Sequence, residues 1–157
     1  MFRYVQQTQY TSDELIRIFL ALLDSYDFDA ELAIFGFKKH QFIKRKKARR
    51  ELAALFIALW DLALQKSFPA ERELVFEEFI SRYAYSAKGN NKEVDLQLRS
   101  INVYVTLLQK KRDSDFSEVA AFLAGLMLED QDAVDKARLR LALAIRAMFR
   151  LIFDRLI

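Results

Sequence analysis

Hydrophobic residues recur every three or four positions along most of this chain, which is the spacing of one face of an α-helix. The first such stretch begins at Thr11, where Glu14 three residues later completes a capping-box pattern, and it continues to about Ser25. A short helix follows at residues 30–35 and ends at Gly36, a residue suited to a helix C-terminus. The later stretches with helical spacing are residues 38–64, 69–87, 113–128 and 129–157.

Residues 93–111 fit two patterns. Val94, Leu98 and Ile101 follow the helical period, but the apolar residues also alternate with polar ones in the manner of a strand. We favour a helix, because a lone strand would have no sheet to join. Such a helix would carry a second apolar stripe and would be covered on both sides. The residues of the second stripe are Leu96, Val103 and Leu107.

The low content of chain breakers supports long helices joined by short loops. The 157 residues include three glycines and one proline, whereas sheets with many hairpins need more of both. A chain of this length is expected to form one domain around a sizeable core, and 53% of its residues are hydrophobic. We therefore predict an all-α protein, a single-domain bundle of six or seven helices spanning residues 1–157, with residues 1–10 as a lead-in segment.

The stretch of residues 38–64 is the feature around which we expect the fold to be arranged. Its first part, residues 38–50, is here called the basic segment because it has eight cations and no acid, while the second part is apolar. Since the whole chain carries a net charge of +3 and this segment carries +8, the rest carries −5. The eight cations are Lys38, Lys39, Lys44, Arg45, Lys46, Lys47, Arg49 and Arg50.

Two interpretations of the basic segment remain open. Its cations could neutralise the phosphates of DNA or RNA, with Phe42 lying among them. They could instead face water or pair with the acidic residues that precede them. An anionic membrane surface is a weaker third interpretation, because Phe42 and Ile43 contribute little to insertion. The acidic residues concerned are Asp24, Asp27, Asp29 and Glu31.

Residues suited to catalysis or metal binding are scarce. The chain has no cysteine, and its glycines lie too far apart for a phosphate-binding loop. A catalytic triad would have to use His40, the single histidine, which lies among cations and has no carboxylate nearby to orient it. We therefore predict that the protein is not an enzyme and has no metal site and no cofactor.

The sequence contains no evident membrane span or secretory signal. The apolar run at residues 52–64 is short and includes Asp61, and the C-terminal run is interrupted by Arg146 and Arg150. Together with the absence of cysteine, this favours a cytoplasmic protein.

The C-terminal helix has a wider apolar surface than one packed face requires, as in a central helix or one shared between subunits. Leu139 and Leu143, one turn apart, lie away from its main apolar stripe and next to Arg146 and Arg150. We predict that these four residues form the interface of a homodimer; the alternative is that another helix of the same chain covers the two leucines. In that dimer the arginines would reach acids such as Asp154 across the two-fold axis.

These patterns predict a non-enzymatic helical interaction protein, such as an adaptor or a small subunit of a larger assembly, that self-associates. Its partner would be another protein or a second copy of the chain. The alternative is a nucleic-acid-binding protein that contacts phosphate backbones through the basic segment.

Overall fold

The computed structural model describes residues 11–86, 91–110 and 116–156, and the regular structure within these ranges is α-helical throughout. The helices are α1 (Ser12–Ser25), α2 (Asp29–Phe35), α3 (Phe42–Ser67), α4 (Arg72–Ser86), α5 (Asn91–Lys110), α6 (Ser117–Met127) and α7 (Gln131–Leu156). The predicted all-α class is confirmed, with seven helices in the described ranges. The segment that also fitted a strand is the helix α5.

Local signals set several of the helix ends. At the start of α1, the Glu14 N–H donates to Thr11 Oγ1 (3.1 Å) and the Thr11 N–H donates to the Glu14 carboxylate (3.1 Å), which is the predicted capping box. Gly36 ends α2 with a φ of +74°, a left-handed conformation that glycine adopts without strain. Helix α3 ends at Ser67, two residues ahead of Pro69, since the residue before a proline is disfavoured in a helical conformation.

Two predicted helix starts are wrong. Helix α3 begins at Phe42 and not at residue 38, because Gln41 closes a turn before it. The Gln41 side-chain oxygen accepts from the Lys38 N–H (2.7 Å), and the Gln41 N–H donates to the Lys38 carbonyl (2.9 Å). The first two lysines of the basic segment therefore precede the helix. Pro69 likewise lies in a turn, since α4 begins three residues later.

Helix α3 is the centre of the fold, because each of the other six helices packs against it. From Glu51 to Leu64 nearly all of its side chains are buried, so this half of the helix is enclosed on all sides and not along one stripe. The sequence offered two explanations for the wide apolar surface of the C-terminal helix, a central position or a shared interface. The central position belongs to α3. Helix α7 buries one face only.

An aromatic cluster fixes α1 and α4 against α3. Phe19 of α1 stacks on Trp60 of α3 with ring centroids 4.4 Å apart and nearly parallel planes. Phe79 of α4 meets Trp60 edge-on at 5.1 Å. All three rings are fully buried, and aromatic pairs in these geometries add to the stabilisation that comes from burial alone.

A buried ion pair also joins α3 to α4. The Arg72 guanidinium donates to both carboxylate oxygens of Asp61, each at 2.7 Å, in the bidentate arrangement that makes such pairs strong. Asp61 is only 1% exposed, so water cannot replace this partner. In the sequence Asp61 served only as evidence against a membrane span, and its structural role follows from the tertiary contact.

Replacing Arg72 by Met should destabilise the protein strongly, because it leaves the Asp61 carboxylate buried without a donor. We expect the free energy of unfolding in urea to fall by about 3 kcal/mol or more. The control is Arg82→Met, which removes a guanidinium that pairs with Asp13 and Glu78 at the surface and should lower the stability far less, because water can replace an exposed partner. Equal losses in the two variants would show that the buried pair contributes no more than a surface pair.

Candidate interaction surfaces

The three arginines of the basic segment are held by other parts of the protein. Arg49 pairs with Asp29 of α2 (3.0 Å), and Arg50 pairs with Glu93 of α5 (3.5 Å). Arg45 donates to the carbonyl of Phe37 at 3.4 Å. Their guanidinium groups therefore connect the start of α3 to α2, to α5 and to the segment just before the helix.

A buried carboxylate lies directly beneath this region. Glu51, almost fully buried, accepts hydrogen bonds from the hydroxyls of Tyr104 (2.7 Å) and Ser100 (2.8 Å), both on α5. The Arg50 guanidinium approaches the same carboxylate at 3.8 Å. Burial, and next the bond to Glu51, raises the pKa of the Tyr104 hydroxyl, which therefore stays protonated and keeps donating. One signal for Glu51 was present in the sequence, since it is the first acid after the basic segment, where the chain turns apolar.

Four lysines of the basic segment have no ion-pair partner in the part of the chain that the structure describes. Among the described residues, no carboxylate lies within ion-pair distance of Lys38, Lys39, Lys44 or Lys47. Lys46 approaches Glu93 at 3.9 Å and is itself well exposed. The free positive charge of this segment thus resides on lysines, whereas its arginines serve the fold.

The predicted pairing between the basic segment and the acidic residues 24–31 is limited to one contact, Arg49 with Asp29. Glu31 is buried and accepts from the Tyr26 hydroxyl (2.7 Å), so it is not available to the cations. The second counter-charge comes from Glu93 on α5, which is distant in sequence and contacts both Arg50 and Lys46. Sequence proximity therefore indicated one of the two partners and missed the other.

Two apolar side chains stand in water beside the free lysines. Phe42 and Ile43, in the first turn of α3, are 75% and 86% exposed. Within the described ranges no other large hydrophobic residue reaches either value. Apolar residues that stabilise a core are buried. Because Phe42 and Ile43 are exposed, neither belongs to the core that holds this part of the helix in place.

A second candidate surface lies on α7, opposite its buried face. Leu139 and Leu143 are 68% and 57% exposed, in agreement with their predicted position away from the core stripe. Among the described residues none of the charged neighbours in the same row forms an ion pair. At helical spacing this outer stripe of α7 comprises Asp132, Lys136, Leu139, Leu143, Arg146 and Arg150.

The second apolar stripe predicted for α5 is only partly covered. Leu107 is half-buried, but Leu96 and Val103 are exposed, so the expectation that α5 is covered on both sides is wrong for these two residues. His40 is exposed in the turn before α3. No group of three or more potential metal ligands occurs among the residues that the structure describes.

Comparison of the chain with protein-family models, curated proteins and solved structures found no match. In the described parts of the chain, none of the helices has both the length and the hydrophobicity that crossing a membrane requires.

Neutralising Lys44 and Lys47 together should leave the fold intact, whereas neutralising Arg50 should not. For Lys44→Gln/Lys47→Gln we expect the free energy of unfolding to stay within about 0.5 kcal/mol of wild type. For Arg50→Gln we expect a loss of about 2 kcal/mol, since Glu51 and Glu93 both lose a charged neighbour. Urea titration measures both. If the double-lysine variant were as unstable as Arg50→Gln, the lysines would be structural.

Proposed function

We propose that this chain is a non-enzymatic interaction protein of the cytoplasm that associates with a second copy of itself through the outer stripe of α7. The observation that carries the proposal is the pair of exposed leucines, Leu139 and Leu143, one turn apart on a helix whose opposite face is already buried. A single exposed leucine is ordinary, but an adjacent pair surrounded by charged residues resembles the apolar centre and polar rim of an interface.

The spacing of the two leucines suits an antiparallel pairing of two α7 helices. When the two-fold axis passes between Leu139 and Leu143, each leucine of one copy meets the other leucine of the second copy. In the same register Arg150 faces Asp132 of the second copy, and this attraction occurs twice because the interface is isologous. The acid opposite Arg150 is then Asp132, in place of the Asp154 suggested by the sequence.

The same register brings Lys136 towards Arg146 of the second copy, which is a repulsive pair. Exposed pairs of either sign contribute about 1 kcal/mol or less, so the attraction and the repulsion largely offset each other and the leucines supply most of the affinity. With four leucines at its centre, the contact is small, and we expect a weak, concentration-dependent dimer.

Replacing both leucines by Glu should give a folded monomer, because four carboxylates would meet at the centre of the interface. Sedimentation or light scattering of the wild type over a range of concentrations should show the dimer, and the variant should not form it. Leu74→Glu changes an equally exposed leucine on α4 and should leave the dimer unchanged.

The antiparallel register has its own test in a charge swap. Asp132→Lys and Arg150→Glu should each weaken the dimer. The variant with both substitutions should recover, because the two exchanged side chains would again carry opposite charges across the interface. A wild type that stays monomeric at high concentration would overturn the proposal. Unfolding of the leucine double variant would instead mean that the two leucines belong to the core.

Nucleic-acid binding by the basic segment stays an alternative prediction, supported by its four unpaired lysines. Such binding should weaken steeply as the salt concentration rises. Binding releases cations that are condensed on the nucleic acid, and this release is less favourable when the solution already contains more salt. Titration of random duplex DNA and single-stranded RNA at two salt concentrations measures this slope, and Lys46→Glu with Lys47→Glu should abolish the binding. Absence of binding at low salt would remove this alternative.

A further inference from the structure

We propose that the start of α3 is a docking surface for an anionic lipid bilayer. Its components are the exposed side chains of Phe42 and Ile43 and the unpaired lysines of the basic segment. This surface is distinct from the outer stripe of α7, so the inference stands or falls independently of self-association.

The two kinds of side chain match the two layers of a membrane interface. Phe42 and Ile43 are adjacent in the first turn of α3 and reach into water, where they could enter the boundary between headgroups and acyl chains. Lys44 follows in the same turn and the half-exposed Lys47 in the next, while Lys38 and Lys39 precede the helix in the turn closed by Gln41. Long lysine side chains can keep their ammonium groups at the headgroups while neighbouring apolar groups insert.

The pairing of the arginines, which leaves only lysines free, favours a lipid partner over nucleic acid. Recognition of phosphate or bases by paired hydrogen bonds relies on the arginine fork, but Arg49 and Arg50 of this segment are committed to Asp29 and Glu93. Lysines act as point charges, which suffices for attraction to a fluid anionic surface.

The identity of the apolar residues points the same way. An aromatic ring such as Phe42 can stack on a base, but an aliphatic side chain such as Ile43 cannot, and Ile43 is the more exposed of the two. On a phosphate backbone Ile43 would remain in water. At a bilayer both side chains leave water, so the membrane accounts for the whole surface.

The test uses the full chain and vesicles of phosphatidylcholine, with and without about 30% phosphatidylserine. Co-sedimentation at low salt should show binding to the anionic vesicles only. Phe42→Ser/Ile43→Ser should weaken partitioning about tenfold or more, and Lys44→Gln/Lys47→Gln about 30-fold. The control is Leu74→Ser, which removes a strongly exposed apolar side chain on α4, outside both proposed surfaces, and should leave partitioning unchanged.

A fluorescent reporter distinguishes insertion from attraction by charge alone. Trp60, the single native tryptophan, is fully buried, so Phe42→Trp adds a ring at the proposed contact, and its emission should shift to the blue on anionic vesicles. The proposal is overturned if wild type does not bind anionic vesicles, or if the Phe42/Ile43 variant binds as well as wild type. An equal loss of binding in the Leu74→Ser control would show that the effect is not specific to the start of α3 and would also overturn the proposal. Tighter binding of duplex DNA, insensitive to the Phe42/Ile43 change, would identify a nucleic-acid surface instead.

Discussion

Near-complete burial of one half of α3 is the constraint on which the rest of this structure depends. A helix that is apolar around its whole circumference can be removed from water only if neighbours cover every side, and six helices do so here. The same helix carries the densest run of cations in the chain, and unpaired charges cannot follow it into the core. The basic end must therefore emerge from the bundle, where its arginines find partners on α2 and α5 and its lysines meet water.

Features with local causes could be predicted from the sequence. The capping box at Thr11, the left-handed glycine at the end of α2 and the stop before Pro69 each depend on a few neighbouring residues. The exposure of Leu139 and Leu143 was also predictable, because the position of a residue around a helix follows from its spacing to the buried stripe.

Features that depend on distant contacts could not be predicted in this way. Arg50 meets Glu93, 43 residues away, although a cluster of acids lies much closer along the chain. The start of α3 was misplaced because a side-chain contact of Gln41 with the Lys38 backbone overrides a continuous run of good helix formers. The strong exposure of Phe42 and Ile43 was equally hidden, since only the arrangement of the neighbouring helices decides whether these side chains are covered.

The buried carboxylates of α3 have a consequence for how that helix is seated. A helix that is apolar around its whole circumference gains little from one rotation about its axis over another. It could also shift by one turn along its axis without exposing much apolar surface. Glu51 and Asp61 remove that freedom, because they lie about 15 Å apart along the axis and accept from different helices, α5 and α4. Any rotation or axial shift of α3 would leave both carboxylates buried without donors. These two polar residues therefore hold an otherwise apolar helix in a single orientation.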